Sequence, residues 1–455
     1  MMPDGAHVAG SAALSKGSVT DGRAVAAQVL TDLHEGALLD TAFERRAAIL
    51  DARDRRWTQE LVFGTLRRRG WIDAVLEGCV SGGLARIDAE LTDILRLGVY
   101  QLLFMGSVPP YAAIAQSVEL AKIRRGIGAS KLANAVLRRV DRERETLAPE
   151  LEDPGDLIET LSVSESHPRW LVSRWSARWG VDETARLLRA NNTEPPLIVR
   201  PFGVVREQLE ASLERSGVTC EDAPLVTDSV RLTGHSSITD LGAYRQGMFF
   251  VQDPAATMVT HYAAFPSGAV VSDLCAAPGG KSLELSRQAA LVVACDRSES
   301  RLSRVRDNIE RLDARNIVLV VADAREPALG SVAAALLDAP CTGTGTYRRH
   351  PDARWRLKVS DLAVMAAIQR SMLDAAAQIV APGGLLVYST CSLEPEENEA
   401  QIDAFLARHS EWSLEAPPSG SVPDEVLDAG RLRVLPQRHG ADGAFAARLR
   451  RTRRT

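Results

Sequence analysis

Two cysteines carry the chemistry this sequence could perform. Cys341 lies in Leu337-Asp338-Ala339-Pro340-Cys341-Thr342-Gly343-Thr344-Gly345, and Cys391 lies in Ser389-Thr390-Cys391-Ser392, followed by Pro395-Glu396-Glu397-Asn398. Each follows directly on an apolar, strand-like run. A single buried cysteine usually behaves as a small hydrophobe. Two at neighbouring strand ends, one of them three residues after an aspartate, read instead as reactive thiols. Cys275 occupies a similar position. The remaining cysteines are Cys79, Cys220 and Cys295, and no two of the six form a Cys-x-x-Cys pair. That pattern is neither a disulfide framework nor a zinc site, and it suits a reducing cytoplasm. No metal is expected.

The elements that must position these thiols are legible around Val270 to Lys281, Val-Val-Ser-Asp-Leu-Cys-Ala-Ala-Pro-Gly-Gly-Lys. An apolar run ends at Asp273, a small-residue turn follows, and Ser282 to Leu285 opens a helix. This is the strand–glycine turn–helix entry unit of a doubly wound α/β domain, in which Gly279 and Gly280 let backbone approach a ligand. Further buried-strand runs end at Asp296, Asp323, Asp338 and Thr390-Cys391. Helical patterns at Arg301 to Leu312 and Asp361 to Val380 separate some of them. Ligands of open α/β sheets bind beyond the carboxyl ends of the strands. One crevice is therefore expected to collect Asp273, Asp296, Asp323, Asp338 and Cys391. Taken singly, Asp296 or Asp323 reads equally as a helix cap or turn residue.

The chain is 455 residues long, with 45% hydrophobic and 25% charged residues. That suffices for several cored domains of an ordinary soluble protein. A formal net charge of −5 confines any nucleic-acid surface to a local patch. No run is long and apolar enough to span a bilayer. Residues 1–20, rich in Gly, Ala and Ser, lack an apolar signal core and read as a disordered tail. Residues 21–145 are helical by periodicity and carry basic clusters, including Arg67 to Arg69, Lys122 with Arg124 and Arg125, and Arg138 with Arg139. Each cluster alone reads as a solvated helix face, and together they admit a phosphate-binding face. An acidic stretch with Pro149 and Pro154, residues 146–165, reads as a linker. Residues 166–248 form a small α+β segment whose Trp170, Trp175 and Trp179 fall on one helical face, as core residues do. Packing support and an RNA platform are both compatible with its composition. The catalytic domain is placed at 249–451.

The motifs Asp273 to Lys281, Asp338-Ala339-Pro340-Cys341, and Thr390-Cys391-Ser392 with Glu396-Glu397-Asn398 resemble those of the RNA cytosine-5 methyltransferases, specifically the bacterial small-subunit ribosomal RNA methyltransferase B type. Ile94 to Leu103 and Asn134 to Arg138 resemble the helical domain shared with the antitermination factor NusB. The resemblance spans nearly everything after residue 20. It implies an all-α NusB-like bundle at 21–145, the small α+β segment, and a Rossmann-like S-adenosylmethionine-dependent methyltransferase domain. The partner implied is RNA, ribosomal RNA before transfer RNA, and a monomer in the cytoplasm is expected.

By the same resemblance S-adenosyl-L-methionine is the cofactor. Cys275, Ala276, Ala277, Pro278, Gly279, Gly280 and Lys281 would wrap its methionine and ribose portion. Asp296 would take the ribose hydroxyls, and Asp323 would meet the adenine edge. Cytosine C5 is too electron-poor to attack a sulfonium methyl unaided, and a thiolate added at C6 supplies the missing density. The resemblance assigns Cys391 as that nucleophile and Cys341 as the group assisting release. Asp338 would hold the N3/N4 edge close to the cofactor, and Lys281 would tune the thiolate or position the base. The segment Tyr347-Arg348-Arg349-His350-Pro351-Asp352-Ala353-Arg354-Trp355 mixes cations with aromatics beside Cys341. RNA contact through Arg348, Arg349 and His350 and simple packing on its own domain weigh equally, and His350 is a second candidate base. Two departures from the family pattern are visible. Asp442-Gly443-Ala444-Phe445 has one aromatic where two are usual. Arg200-Pro201-Phe202 replaces an Arg followed shortly by Asn, which puts an RNA contact there in doubt.

Overall fold

The computed structural model describes residues 19–147, 151, 153, 155–234 and 237–453. The tail expected at 1–20 therefore falls almost wholly outside the described residues. The chain divides into two units, one ending at Ser166 and one beginning at His167.

The first unit is helical. Its principal helices are Asp21–His34, Leu39–Ala47, Ala52–Arg67, Arg69–Cys79, Ala89–Leu103 and Pro110–Glu143, the last broken at Gly126, which sits at φ +84°. Asp51 and Asp88 cap two of them through backbone amides, as short acceptors at N-caps do. The apolar positions of the helical repeat, among them Val29, Leu61, Ile94, Leu95, Ala133 and Leu137, form one core. Residues 146–165 are not simply a linker. They contain a helix, Leu157–Ser164, capped by Asp156 and touching Arg69–Cys79.

The second unit opens with two helices, Arg169–Trp179 and Val181–Asn191. A four-stranded antiparallel sheet follows, with strands β1 (Leu197–Pro201), β2 (Thr219–Asp222), β3 (Val230–Thr233) and β4 (Phe249–Val251) in the order β2-β3-β1-β4. This moves one boundary. Phe249–Val251, expected to open the catalytic domain, pairs with β1 through Val199 opposite Val251 and belongs to the smaller sheet. Its apolar alternation marks a strand, but only pairing reveals which sheet it joins. Trp175 is buried, as expected of a core tryptophan, and Trp170 and Trp179 are half-buried.

The large sheet contains β5 (Val270–Asp273), β6 (Leu291–Asp296), β7 (Ile317–Val321), β8 (Val332–Asp338) and β9 (Val380–Thr390). It also contains β10 (Trp412–Leu414), β11 (Leu427–Asp428), β12 (Arg431–Val434) and β13 (Ala444–Arg451). Its order is β11-β12-β13-β9-β8-β5-β6-β7, with β10 on β13. Strands β5 to β9 run parallel, and β13 runs antiparallel to β9. The chain winds from β5 outward to β7, then returns to β8 on the other side of β5. The sheet therefore has its topological switch point at β5/β8, where a crevice opens beyond the carboxyl ends. Asp273 and Asp338 end those two strands, and β9 delivers Cys391 one strand further on. The antiparallel extension had no distinct signature in the sequence, because β10 to β12 are short and β13 pairs with β9 more than 50 residues earlier.

Candidate active site

The turn after β5 is set by Gly279. It caps helix Gly280–Ser286 at φ +104°, and a methyl group there would stand 2.9 Å from Val305 Cγ1. Both backbone angle and space thus require glycine. Beneath the turn, Asp273 is fully buried. Ser282 Oγ donates to its Oδ2 at 2.6 Å, while Oδ1 is buried without a well-formed hydrogen bond. Burial pushes the Asp273 carboxyl up to about 7, against the smaller opposing pull of the Ser282 hydroxyl.

A cleft of about 400 Å3 opens over this turn, lined by Phe250, Gln252, Asp253, Asp273, Cys275 to Pro278, Gly280, Lys281, Asn308, Arg311 and Asp338, among others. The sequence-predicted loop and two of the strand-end aspartates are thus brought together. Asp296, Asp323 and Cys391 stand outside this lining, which corrects the expectation of a single crevice collecting all five. Asp296 is buried and already engaged: its Oδ2 accepts the Ala277 amide at 3.3 Å and pairs with Arg301 at 3.1 Å, and its Oδ1 accepts the Ser298 amide at 2.9 Å. It supports the loop from Cys275 to Lys281 through the Ala277 amide. Asp323 pairs with Arg325 at 2.6 Å, and that guanidinium holds its carboxyl down at about 2. Phe250, Asn308 and Arg311 were not foreseen. They reach the cleft from the smaller sheet and from helix Glu299–Leu312, with no motif to mark them.

At the other end of the cleft, Lys281 Nζ donates to Asp338 Oδ2 at 2.6 Å, and Ser389 Oγ donates to Asp338 Oδ1 at 2.7 Å. Burial alone would lower the Lys281 ammonium's pKa, but the Asp338 charge outweighs it and the net shift is upward. Lys281 therefore remains a cation beside the cysteines. Cys341 and Cys391, both half-buried, have their sulfurs 3.1 Å apart, and both are free thiols. A disulfide would place them at about 2.05 Å. The hydrogen bond to Cys391, followed by burial, pushes the Cys341 thiol well above its usual range. Cys341 thus keeps its proton within hydrogen-bond reach of the Cys391 sulfur. Cys275 is also held protonated, by burial and then the Asp338 charge, so it is a loop residue rather than a third reactive thiol.

Two segments lock the cysteine loops. The Gly345 amide donates to Cys391 O at 2.9 Å, and the Gly443 amide to Gly345 O at 2.8 Å. A methyl group on Gly345 would meet Cys391 O at 2.6 Å and Gly443 Cα at 2.7 Å, which explains glycine at both positions. From helix Arg169–Trp179, Trp175 Nε1 donates to Glu394 Oε1 at 2.9 Å, Arg174 pairs with Glu394 and Glu396, and Arg178 pairs with Glu399 at 2.6 Å. This helix braces the segment that follows Cys391.

The segment after Cys341 is internal. Arg348 is 5% exposed and donates to Asp442 Oδ1 at 2.5 Å and Asp253 Oδ2 at 2.7 Å. Arg349 donates to the same two carboxylates at 2.5 and 2.6 Å. Neither guanidinium is offered to RNA as a phosphate clamp, which corrects that reading. The aspartates that neutralise them lie 95 and 94 residues away from Arg348, beyond the reach of local pattern. His350 lies in the same turn, half-buried, with its amide on Thr346 O at 3.1 Å. Arg200 is likewise internal: it is 1% exposed and pairs with Glu284 at 2.7 Å and with Asp228. In the first unit, Arg138 is exposed with Nε on Asn134 Oδ1 at 3.0 Å, whereas Arg139 is engaged by Glu143 and by Gly78 O. Among the described residues no helix is long and apolar enough to cross a membrane, and no group of three or more His, Cys, Asp or Glu side chains could hold a metal ion.

Comparison with known proteins agrees with this geometry. Residues 264–450 match the model of the 16S rRNA methyltransferase RsmB/F family, residues 20–142 that of the NusB family, and residues 167–239 that of the RsmF/B-like ferredoxin-like domain. The chain is 34% identical over 436 residues to the probable ribosomal RNA small subunit methyltransferase B of Synechocystis sp., covering 92% of this chain and 96% of that one. It is 35% identical over 441 residues to ribosomal RNA small subunit methyltransferase B of Pseudomonas syringae pv. tomato, covering 94% and 96%. The crystal structure of PH0851 superposes with a TM-score of 0.77 at 27% identity, covering 95% of this chain and 99% of that one. The structure of NSun6 from Pyrococcus horikoshii with SFG shares the fold at a TM-score of 0.57 and 22% identity, covering 64% of this chain and all of that one. The chain thus belongs to the S-adenosylmethionine-dependent small-subunit ribosomal RNA methyltransferase B family.

Proposed function

We propose that this protein methylates C5 of a cytosine in 16S ribosomal RNA, with Cys391 adding to C6 of the base and Cys341 assisting release. The observation that carries this reading is the pair of sulfurs 3.1 Å apart beside the Lys281–Asp338 ion pair, at the edge of a cleft built for a nucleoside-bearing ligand. S-adenosylmethionine supplies the methyl group. The cleft suits it: the loop from Cys275 to Lys281 brings the backbone of Gly280 to the cleft, and Asp273 offers a buried acceptor suited to an ammonium group. In this reading Asp296 shapes the ribose end through the Ala277 amide. Lys281 and Asp338 stand between cofactor and base, where the aspartate meets the N3/N4 edge. Arg138 offers a phosphate contact in the first unit.

Bisulfite sequencing of ribosomal and transfer RNA, from cells with and without the gene, tests the substrate. Loss of one 16S cytosine modification supports the reading. Loss confined to transfer RNA moves the substrate, and no loss in either leaves an RNA-binding assembly factor.

Cofactor binding should depend on pH. A buried carboxyl raised to about 7 favours its neutral form, so the free protein gains stability from Asp273 below the ordinary carboxylate range and loses it as pH rises through 7. An ammonium-bearing ligand needs the ionised form. Affinity is therefore expected to strengthen by up to about tenfold per pH unit between about 5 and 7, then flatten. Isothermal calorimetry of S-adenosylmethionine binding reads this. Asp273→Asn should bind more weakly and without that slope, and an unchanged slope would remove Asp273 from the ligand site.

A further inference from the structure

The two sulfurs sit on separate loops, 50 residues apart in sequence. The β8–β9 ladder ends with Asp338 opposite Ser389, followed by one backbone bond from the Ala339 amide to Ser389 O at 2.8 Å. Beyond it the strands part, the next backbone bond between the loops is from the Gly345 amide to Cys391 O at 2.9 Å, and the spacing on which covalent attack and release both depend needs side chains as well.

A single carboxylate meets both loops. Glu397 is fully buried. Its Oε1 accepts the Thr342 amide at 2.9 Å and Gln369 Nε2 at 2.9 Å, and its Oε2 accepts the hydroxyls of Thr342 and Ser392. The same Gln369 Nε2 donates to Pro340 O at 2.9 Å. The residues on both sides of Cys341, and the residue after Cys391, are thereby tied to one carboxylate and its amide partner. Glu397 is itself anchored, since Tyr388 donates from β9 to its carbonyl at 2.6 Å. Asn398 completes the tie from the Cys391 side, donating to Ser392 O at 2.8 Å and accepting from Thr390 Oγ1 at 2.6 Å. Four donors converge on two oxygens, which is the full accepting capacity of a carboxylate. Here they also compensate the burial of its charge.

We propose that Glu397 is the positioning residue that sets the geometry between Cys341 and Cys391, and so couples the release step to the attack step. The proposal rests on the covalent reading given above. Glu397 touches neither reacting sulfur; it acts through Thr342, Ser392 and Gln369. Glutamine would keep its shape, and the two hydroxyls can rotate to accept from the new amide. Alanine would release both loops.

The test uses the full-length enzyme with ordinary RNA and with RNA carrying 5-fluorocytosine, read on denaturing gels alongside turnover, cofactor affinity and melting temperature. A displacement of about 1 Å in a catalytic group can cost on the order of 100-fold. Glu397→Ala is therefore expected to lose about that factor in kcat, and Glu397→Gln about tenfold, with cofactor affinity unchanged. Because release needs both sulfurs and attack needs one, the adduct with ordinary cytosine should persist in the variants and not in wild type. Adding Glu397→Ala to Cys341→Ala should cost little more. Should Glu397→Ala fail to fold, Thr342→Val combined with Ser392→Ala removes the same hydroxyl donors and should give the same persistence. Folded variants that turn over within twofold of wild type, or that slow with no persisting adduct, overturn the proposal. A wild-type enzyme with no Cys391-dependent adduct on 5-fluorocytosine RNA would instead overturn the covalent reading itself.

Discussion

Replacing Cys391 with alanine is expected to abolish methyl transfer, lowering turnover by on the order of 10,000-fold or more, and to remove the covalent adduct with 5-fluorocytosine RNA. The reason is electronic. Without a bond at C6 the pyrimidine has no enamine character, and its C5 cannot attack a sulfonium methyl. The structure supports this assignment through the partner thiol. Cys341 is pushed well above its usual range by its hydrogen bond to Cys391 and by burial, and so keeps its proton 3.1 Å from the other sulfur. Cofactor binding should be intact in the variant, because Cys391 does not line the cleft. If Cys341→Ala loses the adduct while Cys391→Ala keeps it, the two roles are exchanged.

Cys341→Ala has a different expected result: the adduct forms but is not resolved. Turnover should fall by about 100- to 10,000-fold, the usual contribution of a positioned proton-transfer group, and protein should accumulate crosslinked to ordinary cytosine RNA. A thiol pushed well above its usual range is a poor base in the free enzyme, yet the cause of the shift is temporary. It comes first from the hydrogen bond to Cys391. Once the Cys391 sulfur is bonded to C6, its charge is gone and its accepting power reduced. The loss of that cause lowers the pKa of Cys341, its proton passes to solvent, and the thiolate can take the C5 proton. As the C6–sulfur bond breaks, Cys391 departs with the electron pair and the starting polarity returns. Time courses on denaturing gels read the effect directly. Normal turnover in Cys341→Ala, with no crosslink, would show that release uses another group.

The smaller sheet and the helices before it acquire a role that composition left open between packing support and RNA platform. Arg174, Trp175 and Arg178 grip Glu394, Glu396 and Glu399 just beyond Cys391. β4 carries Phe250 to the cleft. This part of the chain is structural support for the site, whatever else it touches.

Much of the site is visible in the linear chain because its chemistry is local. The glycine turn after Asp273, the strand ends at Asp338 and Thr390, and the two cysteines each lie within a few residues of the backbone feature that presents them, and a short motif records such a relation. The parallel strands are equally readable, since a strand buried on both faces is a near-continuous apolar run. What needed the folded molecule is whatever depends on partners far along the chain. Arg348 and Arg349 look like a basic RNA patch until Asp253 and Asp442 arrive to neutralise them. Phe249–Val251 reads as a strand, but its sheet is settled by β1. Asp296 and Asp323 share the strand-end pattern of Asp273, yet Arg301 and Arg325 engage them outside the cleft lining. Sequence by itself determined which groups can react, because reactivity belongs to side-chain type and the turn that bears it. Tertiary structure alone decided which of those groups meet, because a charge or a sulfur is defined by its neighbours, and long-range packing supplies them.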